Sequence, residues 1–368
     1  LLPPASRLTL LKVNYRGQTL TVPRSEAQYE TPNPQMLFSW SSNMIPYLPT
    51  DQGNRAMMAA KMLEQAISLK HREAPLVQVA AGDKTMEQLV GASSAIISPD
   101  KGVVKKVTAD KIVIKTSEGD VTHNLYNNFS LNRKSFLNHE AKVKEGDRIK
   151  PGGLLADSNF TRGGVLALGA NLKTAFIPYK GYNFEDGIAI TQTAAEKLTS
   201  EHIYRKSVEL DDQTILSMPA FKSQYPNAIQ PDSLKKLDAE GVIKKGEKVR
   251  QGDAIIAVMR RRNPSAALGM FQKSLANRPK DDTLTWSLED EGTVLDIQRS
   301  KTGVTVFIKT EEPAKIGDKL AGRHGNKGII TKIIPTQEAP RDKEGKPIDI
   351  MLNPHGVISR INIGQLYE

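Results

Sequence analysis

The chain has 368 residues, 39% hydrophobic and 5% aromatic, with 51 Lys and Arg against 41 Asp and Glu for a net charge of +10. This length admits several domains with modest cores, and the basic excess points to a polyanionic partner. The absence of cysteine excludes disulfides and cysteine-ligated zinc, and with neither a long apolar run nor a charged leader, no membrane span or signal peptide is expected and a cytoplasmic setting fits.

Residues 1 to 49 mix Pro3, Pro4, Pro23, Pro32, Pro34, Pro46 and Pro49 with short alternating runs such as Leu8 to Tyr15, which predicts strands and extended loops. Asp51 is placed to cap a helix reaching about Leu69, with Met58, Ala59 and Met62 on one face beside Arg55 and the methionines in the core. From Leu76 to about Lys180, VVKKV, KIVIKT, a turn at SEGD and VTHNLY predict an antiparallel meander. KVKEGDRIKPGGLLAD, residues 142 to 157, is echoed by IKKGEKVRQGDAIIAV, Ile243 to Val258, with glycines at two turns in each copy. The echo predicts two related β modules.

Helices are expected at about Ala194 to Arg205 and Asp232 to Glu240, the second stopped by Gly241, with SMPAFKSQYPNAIQP between them as a flexible connection. Arg260 to Lys280 carries a triple arginine and reads as a mobile basic tip. EGTVLDIQR and TGVTVFIKT alternate cleanly around Ser300 to Gly303 and predict a hairpin. KIIP, a charged turn at DKEGK, a strand PIDIML and HGVISRINIGQLYE close the chain.

Chemistry concentrates in IGDKLAGRHGNKG, Ile316 to Gly328. Gly317, Gly322, Gly325 and Gly328 allow close approach to a ligand, Lys319, Arg323 and Lys327 supply fixed charge, and His324 a titratable one. Such a segment suits phosphate; a basic surface loop between two strands is the plain alternative. A Walker loop fails, because Gly322 is followed by Arg323 and His324. A lipoyl or biotinyl carrier fails for want of a lysine at a hairpin tip, so that likeness is architectural. His324 beside Lys327 could serve a nuclease as acid or base, but a single histidine in a basic loop more often contacts phosphate or packs locally. NFED, Asn183 to Asp186, offers the carboxylates Glu185 and Asp186 to a Mg²⁺. If it lies in a strand, Asn183 and Glu185 share one face and Phe184 and Asp186 the other. Asn54 with Arg55, and SRIN at Ser359 to Asn362, add further cations.

Taken in order, these motifs resemble the β, or second-largest, subunit of multisubunit DNA-dependent RNA polymerase. The resemblance rests on NMIPYLPTDQGNRAMMAAKMLEQAI from Asn43, REAPLV from Arg72, VKEGDRIKPGGLLAD, and LALGANLKTAFIPYKGYNFEDGIAIT from Leu166. It continues through LDAEGVIKKGEKVRQGDAI, IGDKLAGRHGNKG and PIDIMLNPHGVISRINIGQLYE from Pro347, about two thirds of the chain in all.

The resemblance implies a mainly β, multidomain fold with α/β elements: a double-psi β-barrel plus sandwich and flap modules. The implied spans are a fork-like region at 1–70, a β-rich module with the first part of the barrel at 71–192, a flap-like module at 193–290, and the second part of the barrel at 291–368. It implies that Lys319 and Lys327 lie near the RNA 3′ end and nucleotide phosphates, that Arg55 and Arg360 contact the triphosphate, and that Glu185 and Asp186 stand by a second Mg²⁺, directly or through water. Arg323, His324, Asn326, Asn54 and Gln65 take support roles. The largest subunit would bring the aspartate triad that holds the main Mg²⁺, so this chain alone would be inactive; no zinc is expected. Other polymerase subunits, DNA template, RNA product, nucleoside triphosphates and an initiation factor at the flap are the implied partners. Where the bacterial pattern has Asn-Met-Gln-Arg-Gln, this chain reads Lys61, Met62, Leu63, Glu64, Gln65. That departure replaces an arginine near the site by an acidic residue; with the chain stopping after NIGQLYE and lacking the family's N-terminal lobes, it leads to the expectation of a divergent or split form such as those encoded by large bacteriophages, working in the host cytoplasm, with part of an ordinary subunit as the alternative.

Overall fold

The computed structural model describes residues 10–29, 37–261 and 279–368 and divides into two compact units, Leu1–Leu125 with His139–Leu198 and Ala314–Glu368, and Tyr126–Asn138 with Thr199–Pro313. Both are mainly β. No helix among the described residues is long and apolar enough to cross a membrane.

The first unit is built on a five-stranded mixed sheet, ordered Thr174–Phe176, Ile350–Leu352, Gly187–Thr191, Lys327–Ile334, Lys319–Ala321. The first two of these strands pair in parallel, as do Gly187–Thr191 and Lys327–Ile334, while the remaining two pairings are antiparallel. Ile188, Ile190, Ile330 and Ile350 pack on one face with Ala194 and Ala314; Ala189, Ile334 and Met351 pack on the other with Tyr179 and Ile348. Burial on both faces explains the nearly continuous apolar run GIAI, which has no alternation.

The repeated sequence motif is a repeated structure. The meander Gly102–Val107, Lys111–Lys115, Asp120–Asn124 forms as expected, and Arg148–Ile149 joins its edge. In the second unit Lys248–Val249 joins the hairpin Gly292–Arg299, Gly303–Glu312 in the same manner. Arg148 pairs with Val103 as Lys248 pairs with Thr293. Gly146 donates to the Val104 carbonyl (2.8 Å) as Gly246 does to Val294 (2.9 Å), and Gly152 donates to Ser98 as Gly252 does to Trp286, both at 2.8 Å. All four glycines have positive φ, between 78° and 92°. The turns repeat because each needs a left-handed residue at the same two places.

Several sequence expectations are corrected. The helix after Asp51 spans Gly53–Glu64, and its buried face is Ala56, Ala59 and Ala60, packed on Ile45 and Leu48, while Met58 is 37% exposed. Small side chains let this helix lie close to its neighbours, and Met58 turns outward. Asp51 is not the cap; Gln52 is, because the Asp51 carboxylate is engaged elsewhere. The helix expected to reach Arg205 spans only Gln192–Lys197; Ser200–Glu209 is a strand pairing along its whole length with Gly303–Glu312, and that ladder overrides local propensity. The helix expected at Asp232 to Glu240 spans Pro231–Lys235. The expected flexible connection contains a helix, Met218–Gln224, capped by the Ser217 hydroxyl and anchored by buried Met218 and Phe221. Most of the expected basic tip, 262–278, lies outside the described residues; Arg260 at its start donates to Asp282 at 2.8 Å.

Candidate functional site

The glycine-rich stretch folds as a hairpin. Lys319 pairs with Ile329 and Ala321 with Lys327, so the two lysines share one face of the ribbon while Leu320 and Gly328 turn to the core. As diagonal neighbours their Cβ atoms lie roughly 7 Å apart. Both side chains are exposed, and neither makes an ion pair among the described residues. Gly317 and Gly325 take the expected positive φ, and at Gly325 and Gly328 the close approach is to the chain's own backbone. Gly325 has φ +71°, and a Cβ there would lie 2.2 Å from the Arg55 carbonyl oxygen; at Gly328 it would lie 2.3 Å from that of Asp186.

The other charged members of the stretch point inward. His324 is 1% exposed, with Nδ1 2.7 Å from Asp51 Oδ2 and Nε2 2.6 Å from Glu368 Oε2. Each ring nitrogen thus faces a carboxylate oxygen. Asp51 also accepts from the Gly364 N–H at 2.8 Å, and Asn362 donates to the His324 carbonyl at 3.3 Å. Arg323 donates to the Val77 carbonyl (2.7 Å), to Glu368 (2.5 Å) and to Glu87 (3.3 Å). Burial alone would raise the Glu368 carboxyl, but the His324 hydrogen bond and the Arg323 guanidinium outweigh it and hold it below its ordinary range. Glu87, 2% exposed, goes the other way: burial raises it despite Arg323.

NFED is a turn ahead of Gly187–Thr191, not a strand, so the expected alternation of faces does not apply. Asn183 is buried and structural: its Oδ1 accepts from the Tyr179 N–H (2.8 Å) and its Nδ2 donates to the Ile177 carbonyl (2.7 Å). Glu185 sits at φ +52° with an exposed side chain, and Asp186 forms an ion pair with Arg360 at the last turn of the helix His355–Arg360. Among the described residues no group of three or more His, Cys, Asp or Glu is arranged to hold a metal.

Arg55 lies in the first turn of Gly53–Glu64 with Nη1 3.4 Å from the Gly325 carbonyl, and Asn54 is exposed beside it. Gln65 caps the far end of that helix, on the order of 15 Å along the axis from Arg55, so the two are not brought together. Asn326 stays within the loop, its carbonyl accepting from the Gly322 N–H at 2.9 Å. A cavity of about 600 Å³ opens here, with Asp186, Lys327 and Arg360 among its polar lining and Leu63, Leu320 and Leu352 among its apolar lining. Sequence reasoning missed Asp51, Glu87 and Glu368. Only Asp51 carried a signal, as a polar residue ahead of a helix.

The family model described as RNA polymerase Rpb2, domain 6, matches residues 97–368. The chain is similar to the DNA-directed RNA polymerase subunit beta of Rubrobacter xylanophilus, 35% identical over 381 residues that cover 98% of this chain and 33% of the relative. It is 33% identical to the subunit of the same name from Synechococcus sp. (strain JA-3-3Ab), over 98% of this chain and 33% of the relative. The Leifsonia xyli subsp. xyli subunit is 34% identical over 96% of this chain and 32% of its own length. The chain thus spans about a third of the length of these curated relatives.

Proposed function

Because the chain belongs to the RNA polymerase Rpb2 domain 6 family, we propose that it supplies the phosphate-binding half of a shared active site in a DNA-directed RNA polymerase. The observation that carries this reading is the division of labour in one hairpin. Arg323 and His324 are consumed by internal carboxylates, whereas Lys319 and Lys327 stand exposed on one face without ion-pair partners among the described residues. Two cations held side by side on a rigid ribbon suit the phosphates of an RNA 3′ end and an incoming nucleoside triphosphate. Arg55 lies on a segment of the same unit, and Arg360, which is ion-paired with Asp186, would have to exchange that carboxylate for phosphate to join the set.

The reaction is attack of the RNA 3′ hydroxyl on the α-phosphate with departure of pyrophosphate, and this chain's part is to orient the phosphates and neutralise their charge. Mg²⁺ would supply further neutralisation. The residues present fit only a peripheral share of it: Asp186 is already paired with Arg360, and Glu185 alone offers an exposed carboxylate. The main ligands therefore come from a largest-subunit partner bearing the aspartate triad. Two parallel pairings in the central sheet support closure into a double-psi barrel. Other polymerase subunits, DNA, RNA, nucleoside triphosphates and an initiation factor at the flap-like module, 193–290, complete the proposed assembly, in the cytoplasm.

Reconstitution with a largest-type subunit tests the reading. Lys319→Ala, Lys327→Ala or Arg360→Ala should each lower nucleotide addition by roughly 10²-fold or more, while the purified chain alone makes no RNA. Full-rate elongation by these variants, with only assembly weakened, would establish a noncatalytic scaffold instead. The burial of His324 with both ring nitrogens occupied argues against a nuclease that uses it as acid or base.

A further inference from the structure

Three separated segments meet at one buried ring. Asp51, His324 and Glu368 are joined at 2.7 and 2.6 Å, and the His324 and Asp51 side chains are 1% and 0% exposed. Each segment carries a cation assigned above to phosphate: Arg55 lies four residues after Asp51, Lys327 three after His324, and Arg360 closes the helix just ahead of Asn362 and Gly364. Backbone ties reinforce the junction. Gln52 donates to the Ile361 carbonyl at 3.0 Å, Gly364 to Asp51 at 2.8 Å, and the Asn362 amide to the His324 carbonyl at 3.3 Å. Two glycines allow the approach: a Cβ on Gly364 would lie 2.6 Å from His324 Nδ1, and one on Gly325 2.2 Å from the Arg55 carbonyl.

We propose that His324 is a positioning residue which, clamped between Asp51 and Glu368, fixes the mutual spacing of Lys327, Arg55 and Arg360 for a nucleoside triphosphate. The inference rests on the polymerase reading. His324 cannot itself touch the substrate, since both nitrogens are occupied and the ring is enclosed. Its effect passes through the loop 322–326, which it pins from the side chain while Asn362 holds its carbonyl and the Gly322 to Asn326 bond closes it. Phosphoryl transfer is sensitive to such placement, a displacement of about 1 Å being enough to cost roughly 10²-fold.

The experiment is a double-mutant cycle on nucleotide addition by the reconstituted complex, with kcat and KM for the nucleoside triphosphate measured separately. His324→Gln, which retains one donor, should lower kcat/KM by roughly ten- to a hundredfold, and His324→Gln combined with Lys327→Ala should lose clearly less than the two single losses added together. Additive losses would show that His324 acts independently of the lysine and overturn the inference while leaving the polymerase reading intact. Full-rate addition by Lys327→Ala would overturn that reading and the inference with it. Should the histidine variants not assemble, Asp51→Asn, which keeps the volume and removes the charge at Nδ1, runs the same cycle. Failure of every one of these variants to assemble would assign the junction to folding alone and overturn the inference.

Discussion

At the residue scale, two glycines of the same stretch separate strain from collision. Gly317 has φ +96° with nothing within 4 Å of the place a methyl would occupy, whereas Gly325 combines φ +71° with backbone 2.2 Å away. Gly317→Ala should therefore cost about 1 kcal/mol, the left-handed penalty alone. Gly325→Ala should cost several times that or displace Arg55, and thermal midpoints of the two variants compare them directly. Glu368 gives a pH signature. Its folded-state pKa is depressed, so its stabilisation is present above the unfolded-state value of about 4.3 and is lost as pH falls through the folded value. Glu368→Gln should lower stability by on the order of 1 kcal/mol near neutrality, with the gap to the parent closing in acid, as read from urea midpoints across a pH series. The raised Glu87 has the opposite sign: it takes up a proton more readily when folded, which partly offsets the acid loss. What the sequence made legible is that Lys319 and Lys327 belong to a basic, glycine-rich connection between strands, where both stand exposed. The fate of His324 was not, because Asp51 lies 273 residues away along the chain and only folding joins them.

At the element scale, the hairpin Gly303–Glu312 was legible from its alternation, with Val304, Val306 and Ile308 buried on one face. Ser200–Glu209 was not, because AAEKL runs helically into a segment whose strand state is decided by a distant partner. Likewise, of the expected seam Ala59 is buried, but it shares its face with Ala56 and Ala60 while Met58 turns outward, since hydrophobic size alone does not tell which helix face must lie close to a neighbour. The repeat makes a matched prediction. A Cβ on Gly102 would lie 2.5 Å from Ile114 Cγ2, and one on Gly292 2.5 Å from Ile308 Cγ2. Gly102→Ala and Gly292→Ala should each destabilise by about 1–3 kcal/mol through overpacking. Shortening the facing isoleucine to alanine should recover part of each loss, as a denaturation cycle on the intact chain would show.

At the scale of the whole molecule, a net charge of +10 says little about where a polyanion binds; the cations left without ion pairs among the described residues say more. Binding to single-stranded nucleic acid should weaken with salt, and removing both Lys319 and Lys327 should reduce the magnitude of the log–log slope by roughly 1.4 if each meets one phosphate. An unchanged slope in a fluorescence titration would place the contacts elsewhere. The two related modules also differ in direction. Arg148 follows its partner Val103 by 45 residues (103 to 148), whereas Lys248 precedes its partner Thr293 by 45 (248 to 293). Equal loops carry a similar closing entropy, so at equilibrium the direction makes little difference. Synthesis from the N-terminus distinguishes them: the first module's hairpin is complete and waiting when its edge strand leaves the ribosome, whereas the second module's edge strand emerges first and stays unpaired until the hairpin is made.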